Sequence, residues 1–371
     1  MKTAIIDNGI DIGTLSHYKN QTENLMVFGE NVVSAEPPHN ITHGGECARI
    51  FAGQTGTLPN VSICLNRDST RMSNANDLVT ALEWCADNDI GLISLSMGTT
   101  QFSEVPILRR AVQKLENAGT VLVAASSNHK RITYPAAFHS CIGVCQTRSL
   151  AEGEITYMKN PFDGVDVVTY PVEGASNSYA NAFIAGIICN ALDNDSELVA
   201  NADIFTVRHA IRIAGIRRWL SRISTKPLMD WQATYLREKI VSISELEPII
   251  IACCGVDAKS SVTFLKQLQK IIIADGYICA IILDKGISAP AEFRFSLKAS
   301  GLSVSSTLDL VVSLCHPDVI LHNLSELSYS SDVLIYGEIP LHSEALLSMK
   351  LKKTVPDDLW VRTKNLFENK D

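Results

Sequence analysis

The sequence predicts an α/β fold, a parallel sheet doubly wound by helices, followed by a second, smaller α/β domain. Three observations carry this. Short apolar runs of strand length alternate with amphipathic stretches of helical period over the first 190 residues, the pattern of a parallel sheet with helices on both faces. The 371 residues exceed one ordinary domain and suit two. Composition shifts to a basic, then polar stretch between Arg217 and Glu247, ending at Pro248, before a second strand–helix series begins. The expected division is a first domain over 1–216, a linker over 217–247 and an accessory domain over 248–371.

Each element has a local cause. Thr3–Ile6 is a short apolar run stopped by Asp7-Asn8-Gly9, a turn signal. Val61–Leu65 and Leu92–Ser96 are runs of the same kind. Asn76–Asp87 places Leu78, Leu82 and Cys85 at helical spacing. Ser103–Asn117 reads as a helix capped by Ser103, with Gly119 just past its end. Thr120–Ala125 is a buried-type strand, and Ser178–Leu192 a mostly apolar helix. In the C-terminal part, Ile249–Cys254, Tyr277–Leu283, Val319–Leu321 and Val333–Tyr336 read as strands, and Ser261–Ala274 as a helix.

Composition excludes several classes. Hydrophobic residues at 46% and charged residues at 19% give ample material for a core, which rules out a disordered chain. A net charge of −8 argues against a nucleic-acid footprint. No apolar run reaches the roughly 20 residues that a bilayer requires, and the N-terminus lacks the long apolar core of a signal peptide. The ten cysteines are scattered through apolar stretches without zinc-ligand spacing. They read as buried reduced thiols in a cytoplasmic protein. The expectation is no metal, no cofactor, no nucleic-acid partner and no membrane.

Four segments carry chemistry. Asp7 closes a buried strand, at the edge where ligands and catalytic groups collect in an open α/β sheet. His43 stands before Gly44-Gly45 and a run able to begin a helix. Ser178 opens an apolar helix rich in small residues, and a helix N-terminus offers N–H groups to an anion. Asn128 ends the strand segment from Ala118, with a side-chain amide able to donate to developing negative charge. Singly, each has a plain alternative: Ser178 an N-cap, Asp7 a turn residue, Asn128 a loop cap, His43 a loop residue. Jointly they supply what a serine nucleophile needs, an imidazole to take its proton and a carboxylate to orient that imidazole.

On these motifs the region from Met1 to about Leu192 resembles the subtilisin-like serine proteases. Asp7-Asn8-Gly9 is similar to that family's Asp-Ser/Thr-Gly motif, and His43-Gly44-Gly45 to its His-Gly-Thr. Asn177-Ser178-Tyr179-Ala180-Asn181-Ala182 is similar to its Thr-Ser-Met-Ala-Ser-Pro. The resemblance implies a three-layer subtilisin-like domain with Ser178 as nucleophile, His43 as general base, Asp7 as its orienter and Asn128 as oxyanion donor. It further implies that Ser94, Leu95, Ser96 and Gly98 line a groove that pairs with an extended peptide backbone. Asn177 stands for the usual Thr, and Ala182 for the usual Pro. The chain begins a few residues before Asp7, so neither a prodomain nor a calcium requirement is expected.

The function expected is intracellular endopeptidase action through an acyl-enzyme, on a dedicated peptide precursor from which a leader is removed. The accessory domain would then bind the precursor or a partner maturation protein. One alternative is a peptide-binding module of this shape with weak or no turnover. Another rests on Cys253–Ser261, which follows a strand and opens a helix where a phosphate-binding loop would sit, with Lys259 and Ser260 as candidate nucleotide contacts. Cys253 and Ala258 replace glycines whose backbone freedom such a loop needs, which favours a structural turn. Ser331–Glu338 has the form of an acidic strand end that holds Mg²⁺, but a plain core strand accounts for it.

Overall fold

A computed structural model of the protein describes residues 1–18, 21–65, 74–174, 176–194, 208–225, 228–241, 248–254, 258–324, 331–336, 347–350 and 355–368. It comprises two compact units. The first joins Met1–Lys159 to Asp163–Leu228, and the second joins Asn160–Phe162 to Met229–Asp371.

The first unit is a nine-stranded sheet of order β3-β2-β4-β1-β5-β6-β7-β9-β8. Its centre is parallel: β1 (Thr3–Asp7) lies between β4 (Val61–Cys64) and β5 (Leu92–Leu95), and β5 pairs onward with β6 (Val121–Ala125). β7 (Ile142–Gln146) continues the parallel run to β9 (Val167–Thr169). Only the margins are antiparallel, where β3 (Asn31–Ser34) folds back on β2 (Glu23–Phe28) and β8 (Ile155–Tyr157) on β9. Every residue of β1, β5 and β6 is buried, as expected when helices cover both faces of a parallel sheet.

Beyond the short helix α1 (Ile12–His17), one covering layer is built from α2 (His43–Thr55) and α5 (Asn177–Asn194). Cys47, Ala48 and Ile50 of α2 and Ala182 of α5 meet Ile5 of β1. Ala180, Ile184 and Ile188 of α5 pack on Leu92, Val121, Val123 and Ile142. α3 (Ala75–Asp87) and α4 (Val105–Ala118) pack against each other. α3 is capped by Asn74, whose side chain accepts from the Asp77 N–H. Gly119 ends α4 at φ 75°, as its sequence position predicts. Ser103 is not the cap of α4. It lies inside a single 3₁₀ turn, Phe102–Glu104, and the helix starts at Val105 with Pro106 in its first turn, where proline's missing N–H costs nothing.

The stretch expected as linker is largely helical. Helix Arg208–Ile223 runs into it, and helix Leu228–Arg237 follows. Arg217 there is drawn inward by the buried Asp166, its Nε donating to that carboxylate at 3.0 Å. The basic composition at this point serves an internal ion pair.

The second unit is a six-stranded sheet of order β12-β11-β13-β10-β14-β15, parallel at every pairing. It takes in β10 (Ile249–Cys254), β11 (Cys279–Leu283), β12 (Arg294–Ser296), β13 (Val319–His322), β14 (Val333–Tyr336) and β15 (Leu347–Lys350). Leu265, Leu268 and Ile272 of helix Ala258–Ala274, with Leu359 and Trp360 of helix Pro356–Glu368, close one face. This is a small α/β unit, as expected for the C-terminal part of the chain.

Candidate active site

Asp7 is the last residue of β1, at the C-terminal rim of the sheet and 2% exposed. Its carboxylate accepts from the Asn8 N–H at 2.8 Å and faces His43 Nδ1 at 2.8 and 3.0 Å. That contact makes Nδ1 the protonated ring nitrogen when the imidazole is neutral and leaves Nε2 as the base.

His43 is held there by the start of α2. Thr42 caps the helix, its hydroxyl accepting from the Gly45 N–H at 2.9 Å, and the Gly44 N–H donates to Asn8 Oδ1 at 2.7 Å. Both glycines are required by proximity. A β-carbon on Gly44 would stand 2.5 Å from the Gly9 carbonyl oxygen, and one on Gly45 would collide with Asp11 Oδ2. The His-Gly-Gly sequence thus lets the helix end come down onto the Asp7 loop.

Ser178 lies in the first turn of α5, buried at 6% exposure. Its hydroxyl donates to the Ser96 carbonyl at 3.2 Å, and its N–H to Ser176 Oγ at 3.3 Å. The next residue, Tyr179, stacks its ring on the His43 imidazole with centroids 5.4 Å apart. Ser96 Oγ donates to Cys47 Sγ at 3.5 Å, and that sulfur is 3.9 Å from His43 Nδ1. These contacts gather Asp7, His43 and Ser178 at one rim of the sheet from three separate elements. Cys47 is fully buried, and desolvation, then the Asp7 charge, push its thiol pKa well up. Asp7, His43 and Cys47 bring ligand-type atoms within 4.8 Å of one another. The set follows from the Asp–His pairing and the i, i+4 spacing of His43 and Cys47.

Asn128 follows β6 and is exposed. Its Oδ1 accepts from the Asn177 N–H at 2.9 Å. That bond uses the oxygen of the amide, and the NH₂ on its other arm is the donor end of the side chain.

The expected peptide groove needs correction at two residues. Ser94 and Leu95 are fully buried, and β5 already has β1 on one edge and β6 on the other. No backbone group there remains for a peptide strand, and Ser94 Oγ instead accepts from Asn181 Nδ2 at 3.1 Å. The chain leaves the sheet after Leu95, so Ser96–Gly98 is the segment able to receive a peptide. Gly98 is exposed, and a β-carbon there would strike the Tyr134 carbonyl.

The other candidates lie in the second unit. Lys259 and Ser260 are exposed in the first turn of helix Ala258–Ala274. The neighbouring Ser261 hydroxyl accepts from Asn323 Nδ2 at 3.2 Å. Residues 255–257 of the loop and 337–338 of the acidic strand end lie outside the described residues.

Sequence reasoning missed three residues of the site: Cys47, Tyr179 and the hydrogen-bonding role of Asn177. The departure of Asn177 and Tyr179 from the resembled motif was the available signal.

Residues 1–248 match the Subtilase family, peptidase S8. The chain is 26% identical over 200 residues to the minor extracellular protease Epr of Bacillus subtilis (strain 168), covering 50% of this chain and 29% of that protein. It is 31% identical over 160 residues to subtilisin DY of Bacillus licheniformis, covering 39% of this chain and 55% of that protein. It thus spans between 29% and 55% of these relatives' length. Among solved structures, the S41 psychrophilic protease aligns with 15% identity and a TM-score of 0.42, covering 57% of this chain and 80% of that one. With a family match over two thirds of its length, and an Asp, a His and a Ser gathered at one sheet rim, the chain belongs to the subtilase family.

Proposed function

We propose that this protein is a serine endopeptidase. The observation that carries the reading is the pairing of His43 Nδ1 with the buried Asp7 carboxylate at 2.8 Å, beside Ser178 at the same rim. In the reaction, Ser178 Oγ turns from the Ser96 carbonyl, gives its proton to His43 Nε2 and attacks the scissile carbonyl. The negative charge on the former carbonyl oxygen meets Asn128 Nδ2. His43 then protonates the leaving amine as the C–N bond breaks. Water, deprotonated by the same imidazole, hydrolyses the acyl-enzyme and restores the Ser178 hydroxyl.

The finer reading is a dedicated peptide precursor, cut to release its leader, in the cytoplasm. What supports it is the separate six-stranded unit, which contributes none of these site residues and is free to hold the precursor or a maturation partner. No described helix is long and apolar enough to cross a membrane. Eight of the nine described cysteines are buried, which suits reduced core thiols in a reducing compartment.

A fluorophosphonate probe tests the chemistry. Labelling at Ser178 that disappears in Ser178→Ala supports the enzyme, whereas an unlabelled folded protein favours a peptide-binding module. Rapid digestion of unstructured casein would count against a dedicated precursor.

A further inference from the structure

Asn177 occupies the position before the nucleophile, and its hydrogen bonds point away from Ser178. The side chain donates from Nδ2 to the Ser126 carbonyl at 3.1 Å and to the Ser127 carbonyl at 3.0 Å. Its Oδ1 accepts from the Gln146 N–H at 3.1 Å. Its own backbone N–H donates to Asn128 Oδ1 at 2.9 Å. One residue, 7% exposed, therefore ties the segment after β6 to the end of β7 and fixes the carbonyl arm of Asn128.

We propose that Asn177 is the positioning residue of the oxyanion site, holding the Ser126–Asn128 segment so that Asn128 Nδ2 is aimed before substrate arrives. This rests on the endopeptidase reading. The physical reason is preorganisation: a donor already oriented needs no reorganisation as charge develops in the transition state. The Ser126 N–H donates to the Val144 carbonyl and the Ser127 N–H to Thr133 Oγ1, each at 2.8 Å, while the Asn177 amide takes the two carbonyls of the same residues. Asn128 is exposed, so packing does not fix its side chain. The choice of residue follows from donor count. An amide offers two N–H donors and a carbonyl, enough for both backbone carbonyls and the Gln146 N–H. A threonine, which the family motif has here, offers a single O–H donor and cannot hold both carbonyls.

The test measures peptide hydrolysis by Asn177→Ala, Asn177→Thr, Asn128→Ala and the double variant Asn177→Ala/Asn128→Ala, using the full chain. Circular dichroism and thermal unfolding check that each variant folds. Asn128→Ala is expected to lose roughly 10²–10³-fold in kcat, the usual effect of removing one such donor. Asn177→Ala is expected to lose roughly ten-fold or more in kcat with KM unchanged. Affinity for a peptidyl trifluoromethyl ketone, which mimics the tetrahedral species, falls in step. In the Asn128→Ala background the Asn177 change adds little, because the residue it positions is gone. Asn177→Thr, the smaller perturbation, shows the same pattern in weaker form if Asn177→Ala does not fold. A folded Asn177 variant with unchanged kcat, a rise confined to KM, or a loss fully additive with Asn128→Ala overturns the proposal and leaves the endopeptidase reading standing. Absence of Ser178-dependent hydrolysis in the parent protein overturns both.

Discussion

The Ser178 hydroxyl donates to the Ser96 carbonyl at 3.2 Å, at the point where the chain leaves β5. That carbonyl is also among the backbone groups able to accept from a peptide N–H, because Ser96 lies beyond the paired residues of β5. In the proposed reaction, substrate and the Ser178 hydroxyl would share that acceptor, and docking the peptide would release the hydroxyl toward His43. Ser178→Ala is expected to lose on the order of 10⁴–10⁶ in kcat while binding an uncleaved substrate peptide at least as tightly as the parent protein. Titration calorimetry checks this; markedly weaker binding by the variant would remove Ser96 as a docking acceptor.

Gly44 allows α2 to approach the Asp7 loop. A methyl group there meets the Gly9 carbonyl at 2.5 Å, Asp7 Cβ at 3.1 Å and Asn8 Oδ1 at 3.2 Å. The contacts are mainly backbone and short side chain, with little capacity to give way. Gly44→Ala is expected to destabilise the protein by about 1–3 kcal/mol and to lower kcat more than it raises KM, since the displaced groups are Asp7 and His43. Urea unfolding and steady-state kinetics provide the comparison. Unchanged values in both would show that the helix end has more room than these distances allow.

Cys47 sits against the His43 imidazole yet is expected to be inert. Burial, then the Asp7 charge, hold the thiol protonated, and only a thiolate attacks an alkylating agent efficiently. Among the nine described cysteines, Cys64 alone is not buried. Of these nine, iodoacetamide at neutral pH should therefore modify Cys64 first and spare Cys47 until the protein is unfolded, with activity retained at native conditions. Peptide mapping by mass spectrometry reads the order; early modification of Cys47 would contradict it.

Asp166 gives the first unit a defined pH response. Burial pushes its pKa from 3.8 up to about 6, and the opposing pull of the Arg217 guanidinium and the Gly143 N–H does not cancel that effect. Between these values the folded protein retains a proton that the unfolded chain has released. Stability from this group is therefore fully present below about pH 4 and is lost as pH rises through about 6. The stability of the parent protein relative to Asp166→Asn is expected to fall across that window and to level off above it. Urea midpoints from pH 4 to 8 test this, and a parent that gains stability relative to the variant as pH rises would mean the Arg217 pairing dominates.

Legibility differed by residue. Asp7, His43-Gly44-Gly45 and Ser178 were readable because each sits in a short segment whose form has a local cause: a strand end, a glycine pair under close approach, a helix start. The alternation of strands and helices was readable for the same reason, since burial imposes its period on neighbouring residues. Ser103 misled because a hydroxyl residue before an apolar period looks like a cap, whether or not a 3₁₀ turn intervenes.

Periodicity thus determined the α/β class, and the resemblance of short motifs pointed to Asp7, His43, Ser178 and Asn128 as candidate site residues. The tertiary structure alone decided that Ser94 and Leu95 lie inside the sheet, because both edges of β5 are taken by β1 and β6. It alone decided that Asn177 grips Ser126, Ser127, Asn128 and Gln146, partners 31 to 51 residues away along the chain. Strand edges and buried amides find their partners through the folded sheet, and pairing at such distances leaves no periodic trace in the residues between.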